Sequence, residues 1–526
     1  MHASMPPSTE VVYVHSLRRA AEFFQEQGCS AWNLFAGTSL SSKLHEVVSE
    51  FFLEKYNIHF DFVPAVFAEK NKDKQEFLRQ QHPNVQQLCG DVMELSAAAI
   101  DNIKHKDDTR RSLLPRCDLL DAGVPCQSRT SASNNAAANI NCVQKGTELT
   151  GLGWKGTLSC VRANQPHIGC CECVPGLAQV DTSDSPISDA HFMVQELNSL
   201  GMWAKFSDVD TLDYAHLQDR KRLWWQFARM KRCFWSEASR WNHDLMTVFK
   251  LQPFQFSGDD FLTHDHADRK AEAMEVGLPV LADFGRRIPC NRAPLNIGKA
   301  DAGWKFDHFN ICRANSVQWP VNLQTVGTPS LIVVDGLRDR EIEAACMADL
   351  FWPPRNSGIG SAVETVDINP DTKRIFKSHL HEDSCVKTPE EHQQTSAWGP
   401  WRQGLCTQIG SGKVLVRYKL PSPVPRPHGG EPYFHGIRLI EPLEAMRLIG
   451  WSDDCWVDSS RPKTLDDLDL YHNLAGNAFC FAHYIPVFCS LLSTFGRFSV
   501  DDGQGMDRAL NASQPGPAAS SSMGAS

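Results

Sequence analysis

The chain has no run of the roughly eighteen or more consecutive apolar residues that a bilayer-spanning helix requires, so no membrane segment is expected. Its first residues, MHASMPPSTEVVYVHSLRR, hold no apolar core of the signal-peptide kind, and secretion is not expected. Paired C-x-x-C repeats are missing too. The 18 cysteines are scattered, with Cys170, Cys171 and Cys173 the nearest to a cluster, so no metal site is expected. Free thiols in a reducing compartment follow instead. A general excess of positive charge is also absent. The net charge of -10 excludes a surface coated in basic residues, but leaves room for a local basic patch.

What is present suits a soluble globular protein of two or three domains: 526 residues, 42% hydrophobic and 22% charged. Two basic stretches stand out. Residues 218–232 hold six basic side chains against one acid, and residues 398–430 hold Arg402, Lys413, Arg417, Lys419 and Arg426 with no acid. Composition alone does not distinguish either from a solvated face.

Residues 1–16 read as a loose lead-in, and Leu17–Gln27 as a helix that Gly28 ends. Short apolar runs then alternate with helical spacing. Strands are predicted at Ala31–Phe35, Phe62–Ala68, Cys117–Val124 and His167–Val174, with helices at Ser39–Lys55 and Asn71–Gln81. A helix at His191–Leu200 and strands at Trp203–Asp208 and Leu223–Phe227 continue the pattern. Such alternation predicts an α/β fold with a mostly parallel sheet between helical layers. Regularity fades beyond about residue 235. Helix-like spacing returns at Arg438–Gly450 and Asn473–Thr494, and the Gly/Ser/Ala/Pro-rich end from Asp501 is expected to be disordered.

The strand ends carry the chemistry. Phe35-Ala36-Gly37-Thr38 is a turn from a strand into a helix, the usual cradle for a nucleotide-like ligand, although such turns also serve packing. Glu69 ends the second strand about thirty residues later and can accept from a ribose diol. Asp91-Val92 follows the third. Three such features in register favour a bound adenosine group over unrelated surface loops. The fourth strand runs into Pro125-Cys126-Gln127, at the carboxyl edge where open α/β sheets bind ligands. Among 18 cysteines the default reading is an incidental one; a fixed proline before Cys126 and a polar loop after it argue otherwise.

In order and spacing, these residues resemble the first four motifs of the cytosine-C5 DNA methyltransferases. The resemblance continues through Glu172-Cys173-Val174, Gln218-Asp219-Arg220-Lys221-Arg222, the group Arg438, Glu444 and Arg447-Leu448-Ile449-Gly450, and Gly476-Asn477-Ala478. It covers residues 30–232 and 436–490. The resemblance implies a Rossmann-like methyltransferase domain, a mixed and mostly parallel sheet with helices on both faces, plus a smaller, mainly β target-recognition domain. It implies a lead-in and helix over 1–28, a catalytic domain over 29–234, a variable region over 235–434, returning helices over 435–498 and a tail over 499–526.

It further implies S-adenosyl-L-methionine as cofactor, held by Phe35, Ala36, Gly37, Thr38, Glu69, Asp91, Val92, Pro125, Asn477 and Ala478. Cys126 would attack C6 of the base, Glu172 would hold N3 and the exocyclic amine, and Arg220 and Arg222 would lie beside them. Read singly, Glu172 is also compatible with a surface acid, and the two arginines with pairing to Asp213 or Asp219. Arg222 is the better candidate for a base contact and Arg220 for a structural role; Glu444 and Arg447 are expected to be structural.

The implied partner is double-stranded DNA. RNA is the alternative, disfavoured by the long variable region and by the absence of a Cys-Phe-Thr signature. No obligate protein partner is inferred, and the location implied is nuclear in a eukaryote and cytoplasmic otherwise. Ser39 and Leu40 replace glycines of the pattern, Cys173 replaces an asparagine, and Thr130 and Asn134-Asn135 depart from the loop pattern. These departures keep a catalytically silent nucleic-acid-binding protein as a further alternative.

Overall fold

A computed structural model describes residues 5–104, 114–129, 136–180, 185–214, 216, 220–250, 413–425, 430–440, 442–451 and 468–499. It also describes short pieces at 305–306, 330–332, 349, 363–369, 374–376 and 402–403. The first helix, α1 (Pro7–Gln27), starts well before the expected Leu17. Proline is tolerated in a first turn, and Tyr13, Leu17, Ala20 and Phe24 form one buried stripe at helical spacing. Gly28, at φ 77°, ends it.

The alternation predicted from sequence follows as β1 (Ser30–Leu34), α2 (Leu40–Tyr56), β2 (Val63–Ala68), α3 (Lys72–Gln81), β3 (Gln87–Cys89), α4 (Val92–Lys104) and β4 (Leu119–Gly123). Next come α5 (Cys142–Lys145), α6 (Glu148–Asn164), β5 (Ile168–Cys173), α7 (Asp189–Ser199), β6 (Met202–Asp210), β7 (Lys221–Arg229) and α8 (Trp235–Val248). The strands form one sheet in the order β3-β2-β1-β4-β5-β7-β6. All neighbours are parallel through β5, and β7 runs antiparallel to both β5 and β6.

Successive strand residues point to opposite faces, and the sheet accordingly divides two cores. Leu119, Cys170 and Trp224 join the core under α1, α2 and α8. Leu120, Cys171 and Trp225 join the one under α4, α6 and α7. Regularity persists past residue 235: α8 packs on the first core, where Asn242 bonds Ser490 and Thr494 at 3.3 Å each.

The smaller sheet comprises β8 (Lys305–Phe306), β9 (Leu331–Ile332), β10 (Val363–Asn369), β11 (Arg374–Phe376), β12 (Arg402–Gln403), β13 (Lys413–Val424) and β14 (Tyr433–Leu439). Its order is β8-β11-β10-β13-β14-β9, with β12 on β10. The helix-like spacing expected from Arg438 is corrected here. Ile437 to Leu439 belong to the β13 ladder, and the helix α9 begins only at Pro442 and ends at Ile449. Arg438 forks onto Glu444 at 2.8 and 2.7 Å, a buried structural pair.

The expected helix from Asn473 to Thr494 is two: α10 (Leu468–Asn477) and α11 (Phe481–Phe498), separated at Ala478-Phe479-Cys480. Contrary to the sequence expectation, residues 473–498 are long and apolar enough to cross a membrane. Their most apolar window is nevertheless 89% buried inside the fold, where α11 forms the centre of the first core.

Candidate functional site

Strand register builds the site. Cys89, Ala68, Leu34, Ala122 and Cys171 lie in one row across β3, β2, β1, β4 and β5. Whatever follows them in sequence therefore emerges along one edge, and those followers include Phe35, Glu69, Asp91, Gly123 and Glu172. They open into a single cleft of about 300 Å³. Gly37, Glu69, Asp91 and Val92 line one end; Cys126, Glu172, Arg220 and Arg222 line the other, with Phe35, Pro125 and Asn477 also on the wall. Ala36, Thr38 and Ala478 lie instead in a small adjoining pocket, which shares Phe35, Gly123 and Asn477 with the cleft.

At the first end, Glu69 accepts from Gly37 N (3.1 Å) and Asn71 N (2.9 Å). A carboxylate has about four lone-pair sites, so each oxygen keeps acceptor capacity toward the cleft. Asp91 accepts from Met93 N at 2.9 Å, which holds its carboxyl below the usual range, and Lys70 Nζ lies 3.2 Å away. Two anchored acceptors suit a ribose. Met93, Leu149 and Leu152 leave 43%, 59% and 47% of their surface exposed against this cleft, an apolar wall of the sort that an adenine ring covers. These residues fit the implied cofactor.

Sequence reasoning missed Met93, Leu149 and Leu152. The available signal was the pair of leucines three apart at the start of α6, on the side away from the buried Thr150 and Trp154.

The turn itself is tight. Ser39 stands where the family pattern has glycine and takes the left-handed conformation, φ 50° and ψ 35°. Its hydroxyl bonds His82 Nε2, and burial pushes that imidazole down to about 3, so it is neutral. The serine is thus accommodated through a side-chain partner.

At the other end, Cys126 follows Pro125 on a loop fixed from several sides. Val124 N donates to Glu172 O (3.1 Å), and the Cys173 thiol donates to Val124 O (3.5 Å). Cys173 thus supplies a tether from the position where the pattern has asparagine. Arg129, also missed from sequence, is buried; it bonds the carbonyls of Ala136 and Gly176 and Gln179 Oε1 (3.0 Å), while its N–H donates to Cys126 O (2.9 Å). Nothing in its polar surroundings in the sequence marks it. Thr130 and Asn134-Asn135 lie outside the described residues.

Glu172 is 7% exposed, not a surface acid. It lies opposite Trp224 in the β5–β7 ladder, so Arg222 is its diagonal neighbour. The Arg222 Nε reaches Glu172 Oε1 at 2.8 Å. Asp213, the rival partner, is instead paired with Lys250 at 2.6 Å. Arg220 donates one Nη to Gly476 O (3.1 Å) and Ala478 O (2.7 Å), tying α10 to the site. Its Nε and other Nη are buried and have no hydrogen-bond partner among the described residues. Arg222 is engaged with Glu172, and Arg220 combines a structural tie with donors that have no partner among the described residues.

Burial raises the Cys126 thiol above its usual value, and Glu172 adds to this, while Arg222 and Arg220 oppose it. Burial likewise raises Glu172 against the pull of the same two arginines. Arg220 is brought down to about 10, by burial first and then by Arg222.

A mixed sheet with an antiparallel strand lodged between β5 and β6, and a cleft along its carboxyl edge, define a Rossmann-like α/β domain, and a smaller, mainly β sheet is present as well. No family model matches the chain, and no curated protein does.

Among solved structures it is similar to the S. pombe Dnmt2 methyltransferase, at 11% identity over 88% of this chain and 98% of that one, TM-score 0.39. It is similar to the Entamoeba histolytica methyltransferase EhMeth at 13% identity over 89% and 97%, TM-score 0.36. A mutant of Spodoptera frugiperda DNMT2 is similar at 9% identity over 88% and 99%, TM-score 0.36. All three likenesses are distant.

Proposed function

We propose that the chain is an S-adenosyl-L-methionine-dependent DNA cytosine-C5 methyltransferase. The observation that carries this reading is the single cleft, with anchored carboxylates at one end and Cys126, Glu172 and two arginines at the other. When bound, the cofactor supplies an electrophilic methyl group.

The chain's own residues do the rest. The Cys126 sulfur adds to C6 of the ring, which makes C5 nucleophilic enough to take the methyl group. Glu172, with its carboxyl raised by burial, presents a proton at N3 and accepts from the exocyclic amine, so charge does not build up on the ring. Arg220 lines the same cleft, and its charge favours the Cys126 thiolate and a ring carbonyl beside it. C5 then gives up its proton to water, the C6–sulfur bond breaks, and the thiolate returns. A base stacked in a duplex must first be flipped out, at roughly a few kcal/mol.

Within the basic stretch 398–430, Arg417 points inward onto Asp349 at 3.1 Å, whereas Lys419 on the same strand is exposed and suits a phosphate contact. Under this reading the protein acts in the nucleus if its source is a eukaryote.

Transfer of labelled methyl groups to duplex DNA and to transfer RNA tests the proposal. Label in DNA that is lost in Cys126→Ala supports it. Label in RNA alone moves the substrate to RNA. Binding without transfer to either leaves a catalytically silent nucleic-acid-binding protein.

A further inference from the structure

A second carboxylate, in mid-strand, is left unused by this chemistry. Asp121 pairs with Asn33 and Cys170 in the ladders of β4 and is 1% exposed. Its Oδ2 accepts from Tyr484 Oη at 2.8 Å and lies 3.3 Å from His45 Nε2. Its Oδ1 has no hydrogen-bond partner among the described residues. A buried carboxylate oxygen without a donor is expensive, and the expense is removed by a cation that reaches it.

The space for such a cation exists. Asp121 lines the small pocket beneath the glycine turn, together with Asn33, Thr38, Ser39 and Ser41. Its cavity volume of about 10 Å³ admits a group the size of one water or one ammonium. Among the described residues, no lysine or arginine lines it. Asn33 is engaged on both sides: its Nδ2 donates to Ser42 Oγ and its Oδ1 accepts from Ser41 Oγ, both at 2.7 Å. Asp121 is the only charged side chain among the described residues that line the pocket, and the pocket joins the cleft at Phe35, Gly123 and Asn477.

We propose that Asp121 binds the α-ammonium group at the amino-acid end of the methyl donor. This rests on the reading of the cleft as a methyl-donor site. It gives the departures at Ser39 and Leu40 a counterpart, since a turn filled by side chains leaves less open backbone to hold that end and a charged side chain opposite takes over. Ligands with the ammonium are then selected over nucleosides without it.

Calorimetric titration of the full chain with S-adenosylhomocysteine, its des-amino analogue and 5′-methylthioadenosine tests this. The wild-type protein is expected to bind S-adenosylhomocysteine roughly 10- to 100-fold more tightly than the des-amino analogue, the strength of a charge-assisted hydrogen bond. Asp121→Asn is expected to shrink that preference to about threefold or less while keeping its affinity for 5′-methylthioadenosine, which reports an intact site. A wild-type preference below about threefold overturns the proposal without any variant. An undiminished preference in Asp121→Asn overturns it too. Failure of all three compounds to bind the wild-type protein refutes the methyl-donor site itself, an outcome distinct from either.

Discussion

Gly153→Ala isolates the positioning of Cys126 from the stability of the fold. Gly153 lies on α6 directly against the loop that carries Cys126. A Cβ there would sit 2.7 Å from Pro125 Cδ and 3.2 Å from Phe35 Cζ. Ordinary contact begins at 3.4 Å, which leaves a shortfall of about 0.7 Å. The helix is pinned by the buried Trp154 and Leu158, so the movement falls on the Pro125-Cys126 loop.

Alanine gains about 1 kcal/mol over glycine in a helix, and overpacking costs about 1–3 kcal/mol. The net destabilisation is then at most about 2 kcal/mol. Displacement of a reacting sulfur by a sizeable part of an ångström lowers rates by up to about 10²-fold. Single-turnover methyl transfer to duplex DNA is expected to fall roughly 10- to 100-fold in Gly153→Ala, with the urea midpoint little changed. A rate within about threefold of wild type, in a folded variant, refutes this placement of the loop.

Other perturbations have equally definite signs. Alkylation of Cys126 followed against pH is expected to rise only above the ordinary thiol range; Arg222→Met moves its midpoint further up and Glu172→Gln moves it down. His82 has a folded value near 3 against 6.5, so its neutral form adds stability that is complete above about 6.5 and drains as pH falls toward 3. By pH 5 the loss is about 2 kcal/mol, and His82→Gln is expected to flatten that part of a stability–pH curve measured by urea unfolding. Arg438→Met removes two charge-assisted hydrogen bonds from the fully buried Glu444 and is expected to lower stability by about 3–5 kcal/mol in the same assay.

The sheet was legible in the sequence because its strands are buried on both faces and its helices on one. Continuous apolar runs such as Phe62–Ala68 then stand out against helical spacing such as Asn71–Gln81. The rim residues were legible for the same reason, since a strand end locates whatever follows it: Glu69, Asp91, Cys126 and Glu172 all reach one cleft.

Contacts across the fold were not legible. Arg222 meets Glu172 through an antiparallel ladder that local patterning does not specify, and Arg220 meets Gly476 and Ala478 across 256 and 258 residues. The start of α1 was missed because its first turns hold polar residues on the solvent side. The break at Ala478–Cys480 was missed because its three residues, Ala478, Phe479 and Cys480, are themselves apolar and carry the apolar spacing across it. Asp121 looked like one more residue of a buried strand, and only its orphaned oxygen sets it apart.

The central claim is that the Cys126 sulfur bonds the target base. Incubation of the protein and methyl donor with duplex DNA carrying 5-fluorocytosine, followed by denaturation, proteolysis and mass mapping of the linked peptide, tests it most directly. C5 of that base has no proton to lose, so the adduct is expected to persist, to map to the peptide containing Cys126 and to vanish in Cys126→Ser. An adduct on another of the cysteines, or one that survives Cys126→Ser, contradicts the account.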